Sequence, residues 1–130
     1  MGGLLDTSVV IDLDAVLDEL PASALAISSL TLAELTAGTH AAIEPVARAR
    51  RQALLQQVEA TFTALPFDGN AARAYGLVWA ASAAAGRKAR GRRAVDLLIA
   101  ATAVALGVPL WTRTPSDFTG LESVLDVRTI

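Results

Sequence analysis

The chain has 130 residues, 53% of them apolar, a formal net charge of −2, a single histidine and no cysteine. This is the size of one domain with one buried core, and the composition excludes disulfides, thiolate metal sites, cysteine nucleophiles and multi-histidine zinc sites. Charge is segregated: residues 1–47 carry seven acids and no Lys or Arg, residues 48–93 carry nine basic residues against two acids, and residues 94–130 carry four acids and two arginines. Such a division suits a site that binds metal with one part and a polyanion with another, and equally two faces that pair within the fold.

In chain order, residues 3–6 read as a buried strand ending in Asp6, with Ser8 as N-cap of a helix from Val9 to Leu20 that Pro21 ends. Leu25 to Ser28 is a second apolar strand. Ser29 or Thr31 caps the next helix, with Gly38 as its stop. Pro45 suits the first position of a long helix reaching about Ala60. Phe62 to Pro66 is a third strand, and Asp68 or Asn70 caps a helix to about Ala85. Gly86 to Arg93 follows as an exposed loop with five basic residues in eight. Asp96 opens a nearly all-apolar, largely buried helix that Gly107 closes. Val108 to Trp111 is a fourth strand, Thr112 to Asp117 a turn, and Val124 to Ile130 a fifth strand at an edge. Strands alternating with helices imply an α/β domain around a mostly parallel five-stranded sheet, spanning residues 1–130. The early Asp6, the lack of a basic N-terminal region and the interruption of the most apolar run by Gly107 and Pro109 predict neither a signal peptide nor a membrane span, and a cytoplasmic protein.

Ligands of parallel α/β sheets bind beyond the carboxyl ends of the strands, where strand order reverses. Asp6 ends the first strand, Glu34 lies near the start of the helix after the second, Asp96 lies in the first turn of its helix, and Asp117 follows the fourth strand. All four can face one sheet edge. Each alone has an ordinary reading as a cap, a helix-dipole partner, a solvated helix residue or a turn former; their joint placement is what points to a site. Four converging carboxylates repel one another, and a hard divalent cation resolves that conflict, oxygen donors favouring Mg²⁺ or Mn²⁺ over zinc. Asp12, Asp14, Asp18 and Glu19 are read as the outer face of the first helix, and His40 and Arg48, Arg50 and Arg51 as surface residues.

Four segments in this order resemble the PIN domain family of metal-dependent ribonucleases, and within it the VapC toxins of VapBC toxin–antitoxin systems. They are Leu5-Asp6-Thr7-Ser8, Ser28 to Gly38 around Glu34, Asp96 to Ala103, and Leu110 to Phe118 around Asp117. One departure is Thr114, where family members often have asparagine. The resemblance implies a PIN-like fold and a Mg²⁺-dependent endoribonuclease, with Mn²⁺ able to substitute. It would cleave RNA phosphodiesters by attack of a metal-activated water. In that reading Asp6, Asp96 and Asp117 hold metal, and Glu34 positions or deprotonates the water or completes a second metal site. Thr7, Ser8 and Thr112 steady the carboxylates, with Thr114 as further support. Also implied are a VapB-like antitoxin that blocks the acidic groove, an RNA substrate (transfer or ribosomal), a toxin homodimer and a toxin–antitoxin hetero-oligomer. The charge of Arg87, Lys88, Arg90, Arg92 and Arg93, close before Asp96, points to contact with the RNA backbone, or to a solvated or partner-docking loop.

Other classes fit less well. A receiver-like signalling domain also clusters acids and binds Mg²⁺, but it needs a lysine after a late strand, and Lys88 is the only lysine. A haloacid-dehalogenase-type phosphatase needs an acid two residues after the first, where this chain has Ser8. A catalytically inactive binding module would not need the intact acid set.

Overall fold

The apolar runs form strands of only three or four residues in the computed structural model, which describes residues 1–130: β1 Gly3–Leu5, β2 Leu25–Ser28, β3 Thr63–Leu65, β4 Leu110–Thr112 and β5 Val127–Thr129. They join in the order β3-β2-β1-β4-β5, and every pairing is parallel. The chain runs outward from β1 through β2 to β3, then crosses back to add β4 and β5 on the other side. The switch point therefore lies between β1 and β4, and the next residue after β1 is Asp6.

Helices α1 (Thr7–Val10), α2 (Leu13–Val16), α3 (Ser29–Ala41), α4 (Pro45–Thr61), α5 (Gly69–Ala84) and α6 (Arg92–Leu106) cover the sheet, with 3-10 turns at Leu17–Glu19 and Pro115–Phe118. Side chains of successive strand residues face opposite sides, so β1 feeds two cores. Leu4 packs with Val78, Leu97, Ile99, Leu110 and Phe118 under α5 and α6. Leu5 packs with Val9, Val10, Ile27, Leu55 and Val58 under α1, α3 and α4. Both leucines are fully buried. Gly3 is required beside them, because a Cβ there would meet the Trp111 ring at 2.6 Å.

Local chemistry accounts for most helix ends. The Ser28 hydroxyl accepts from Leu30 N at 3.0 Å, and the Asp68 carboxylate accepts from Ala71 N at 2.9 Å. Glu44 accepts from Val46 N and Ala47 N, with Pro45 behind it as expected. Gly107 closes α6 in the left-handed conformation, φ 67°.

Four boundaries differ from the sequence reading. The expected helix from Val9 to Leu20 is broken into α1, α2 and a 3-10 turn, and α1 starts earlier, at Thr7. The β-branched run Val9-Val10-Ile11 is a weak helix former, and the chain turns at Asp12 (φ −112°, ψ 28°). Ser8 thus lies inside α1 and is no N-cap. Gly38 does not stop α3, which continues to Ala41. Helix α6 begins at Arg92, so Arg92 and Arg93 belong to its first turn rather than to a loop, and Asp96 stands in the second turn. Strand β5 covers only Val127–Thr129.

Candidate active site

Asp6 occupies the N-cap position of α1, but its side chain makes no capping bond. The carboxylate instead accepts two hydroxyl protons on the same oxygen: Ser8 Oγ donates to Oδ2 at 2.8 Å and Thr112 Oγ1 at 2.9 Å. Oδ1 is left with no donor from the chain. Thr112 is fully buried at the end of β4, so strand pairing across the switch point delivers this hydroxyl to Asp6. Ser8 and Thr112, whose oxygens lie 3.2 Å apart, each spend their one proton on Asp6, and backbone N–H groups donate to both oxygens. Arg113 N donates to Ser8 Oγ and Thr114 N to Thr112 Oγ1, both at 3.0 Å. Thr114 Oγ1 lies 3.3 Å from Thr112 Oγ1, so the Thr114 hydroxyl supports Thr112 and touches no carboxylate.

Glu34 has a separate holder. Thr7 Oγ1 donates to Glu34 Oε1 at 2.7 Å, and Thr31 Oγ1 lies 2.9 Å from Thr7 Oγ1. With the Thr7 proton committed to the carboxylate, Thr31 must donate to Thr7. The buried chain Thr31→Thr7→Glu34 therefore fixes the acid in one direction. Thr31 has no signal in the sequence beyond its candidacy as a helix cap; only the packing of α3 against α1 shows what it does.

Asp96 and Asp117 receive no hydrogen bond to their side chains. Asp96 is only 9% exposed. Burial first, then the charges of Asp6 and Asp117, push its carboxyl up to about 7, with Arg92 pulling down and Glu34 adding to the rise. All four expected acids line one cavity of about 240 Å³, shared with Asp12, Arg92 and Arg113. Asp12 is thus corrected from the outer helix face to the cavity rim, where Arg113 pairs with it at 3.0 Å. Asp14, Asp18, Glu19 and His40 stay exposed on the surface.

The donor set fits a hard cation: free carboxylate oxygens on Asp6, Asp96 and Asp117, no thiol or imidazole, and an acid held above its ordinary range by burial and then by like charge. The acids line the cavity rather than close on one point. No three stand near enough to grip one ion, so an ion would have to draw the side chains inward.

The five basic residues separate into three groups. Arg92 reaches the acidic cavity. Arg93, half-buried, donates to Asp117 O, to Ser82 Oγ at 3.0 Å and to Thr119 O at 3.3 Å, while its buried Nε has no partner. Arg87 donates to Ser116 O and Thr119 O at 3.0 and 3.4 Å. Arg87 and Arg93, expected at the RNA backbone or in a solvated or partner-docking loop, form a clasp on the segment that carries Asp117. Lys88 and Arg90 are exposed and line a different cavity with Arg87. The lysine that a receiver-like site needs is consequently not at the acids.

The PIN domain family profile matches residues 3–113. The chain is 38% identical to Ribonuclease VapC5 of Mycobacterium tuberculosis over 131 residues, 98% of this chain and 93% of that protein. Its fold is similar to the crystal structure of VapBC-5, a member of the VapBC family of toxin–antitoxin systems from Mycobacterium tuberculosis, with TM-score 0.80 and 37% identity over 99% of this chain and 97% of that one. It is also similar to FitAcB from Neisseria gonorrhoeae, with TM-score 0.75 and 27% identity over 95% and 94% of the two chains. On the profile, the relative and the fold together, this chain belongs to the PIN domain family and to the VapC proteins within it.

Proposed function

We propose that this chain is the toxin of a VapBC-type pair: a cytoplasmic, Mg²⁺-dependent endoribonuclease, with Mn²⁺ as a substitute, restrained by a cognate antitoxin. The observation that carries the reading is Asp96, a buried carboxyl without a hydrogen-bond donor, pushed up to about 7 beside Asp6 and Asp117. A fold that holds three acids in that arrangement is suited to bind a divalent cation.

Asp6, Asp96 and Asp117 would hold the ion through the oxygens they leave unbonded. A bound divalent ion supplies positive charge for the phosphate oxygens and acidifies water at neutral pH. Ser8 and Thr112 keep Asp6 turned so that Oδ1 faces the cavity. Glu34, aimed by Thr7, accepts the proton of the attacking water with Oε2, the oxygen that Thr7 leaves free. Arg92, at the cavity wall, is placed to meet a phosphate of the substrate. The similar structure of VapBC-5 is that of a toxin–antitoxin system, which supports an antitoxin partner here and a hetero-oligomer with it; a toxin homodimer is proposed beside them. Transfer and ribosomal RNA are the proposed substrate classes.

The test is incubation of purified protein with total cellular RNA in Mg²⁺, in Mn²⁺ and in chelator, beside an Asp6→Asn variant. Cleavage that requires metal and disappears in the variant is the expected result. Cleavage of equal extent by the variant would sink the assignment of Asp6, and cleavage in chelator would sink metal dependence.

A further inference from the structure

Beside the acidic cavity lies a second one, of about 370 Å³, walled by α5 and the segment that joins it to α6. Its charged lining is Arg87, Lys88 and Arg90, without a single acid, and its flank is the indole of Trp79, 52% exposed. Neither Lys88 nor Arg90 takes part in an ion pair, since the only two in the chain are Arg113–Asp12 and Arg128–Asp126. Hydrogen bonds tie the wall of this cavity to the segment that carries Asp117. Ser82 lines the cavity and accepts from Arg93, whose guanidinium also holds Asp117 O, and Arg87 bonds the carbonyls of Ser116 and Thr119.

We propose that this cavity is a nucleotide subsite for single-stranded RNA, in which a base stacks on Trp79 and the adjoining phosphates meet Lys88 and Arg90. The inference rests on the ribonuclease reading above and adds to it a base-binding residue, Trp79, outside the acidic cavity. A lone exposed aromatic ring among unpaired cations is how sequence-tolerant single-strand sites are built: the ring takes any base, the cations take the backbone. The volume falls within the range of small-ligand cavities, roughly 300–1,000 Å³. One indole gives too little apolar surface for a lipid interface, and the unbroken positive lining favours a polyanion. Arg87 and Arg93, which bond the carbonyls of Ser116, Asp117 and Thr119, link this cavity to the segment that carries one of the acids.

The experiment measures binding of a labelled ten-nucleotide oligoadenylate, and of its abasic counterpart, to the full chain carrying Asp6→Asn in chelator, so that nothing is cut. Trp79→Ala should weaken oligoadenylate binding about tenfold and leave abasic binding unchanged, whereas Trp79→Phe should retain most of the affinity. Lys88→Gln with Arg90→Gln should weaken both oligonucleotides and lower the salt slope by about 1.4. Oligoadenylate binding unaffected by Trp79→Ala overturns the subsite. So does intact binding accompanied by a change of sedimentation from dimer to monomer, which would make the face a contact between copies of this chain. Metal-dependent cleavage of total RNA by the unaltered chain is measured in parallel. If cleavage is present while Trp79→Ala binds normally, the subsite alone falls. If cleavage is absent, the ribonuclease reading falls, and binding that depends on Trp79 would still support the groove.

Discussion

Asp6 shows how two hydroxyls convert a strand-end acid into a directed one. Both protons converge on Oδ2, so the other oxygen keeps its lone pairs for the cavity. Thr112→Val keeps the shape of a fully buried side chain and removes one of these donors. We expect metal affinity, read by calorimetry, to fall about 10- to 100-fold, with a loss of about 1–3 kcal/mol in unfolding free energy from the unsatisfied neighbours. Asp96 sets the pH response. Its carboxyl is raised to about 7 in the folded chain and lies near 4 when unfolded, so between these values the folded state binds the extra proton. Stability of the metal-free protein should therefore fall as pH rises from about 4 to about 7, and level off above. Metal affinity should rise over the upper part of the same window as that proton is displaced. Denaturant melts in chelator across this range check the first, and a flat profile would contradict the raised carboxyl. The sequence made the acids legible because each follows a strand or enters a helix at the same sheet edge. It did not show the division of labour among hydroxyls. Thr7 serves Glu34 while Ser8 serves Asp6, and adjacent residues on a helix leave it about 100° apart.

Among the elements, α6 departs most usefully from the sequence expectation. Asp96 is not in the first turn, because the helix starts at Arg92 after Gly91, whose φ of 57° lets the chain swing into it. Arg92 and Asp96 then lie one turn apart and share the acidic cavity, while Arg93 points at the Asp117 segment. A run of basic residues between glycines reads as one solvated loop, since composition carries no information about which guanidinium meets a carbonyl. Removing the clasp isolates its role. Arg93→Met should destabilise the chain by about 1–3 kcal/mol and loosen the 115–119 turn, seen as faster amide exchange at Asp117 and Phe118, with weaker metal binding. Lys88→Gln, on an exposed residue, should change stability by less than about 0.5 kcal/mol. The broken first helix has the same lesson. Its apolar spacing was visible, but the pairing of Asp12 with Arg113, 101 residues away at the cavity rim, was not.

Over the whole molecule, the parallel sheet was legible from alternation of apolar runs and capping residues, and its strand order explains why the acids meet. The repulsion at the switch point was legible too; what could not be read is that burial, ahead of like charge, raises the Asp96 carboxyl. Asp96→Asn removes a carboxyl that burial and like charges disfavour in its ionised form. At pH 8 in chelator the variant should melt a few degrees above the parent. Added Mg²⁺ or Mn²⁺ should raise the melting temperature of the parent and leave the variant unmoved. A variant no more stable than the parent in chelator would mean that the repulsion is relieved elsewhere.

The bond from Thr112 to Asp6 spans 106 residues of sequence, and this has a consequence in time. Chains are made from the N-terminus and fold as their parts emerge. Asp6, Thr7 and Ser8 are synthesised long before Thr112 and Asp117, and until those emerge β1 lacks its β4 neighbour and Asp6 its hydroxyl donor from that strand. Closing so long a loop is also a slow step of folding. For the proposed ribonuclease, an unfinished chain still attached to the ribosome carries no assembled site. The topology thus delays activity until β4 and Asp117 have emerged, and leaves an interval in which an antitoxin can arrive first.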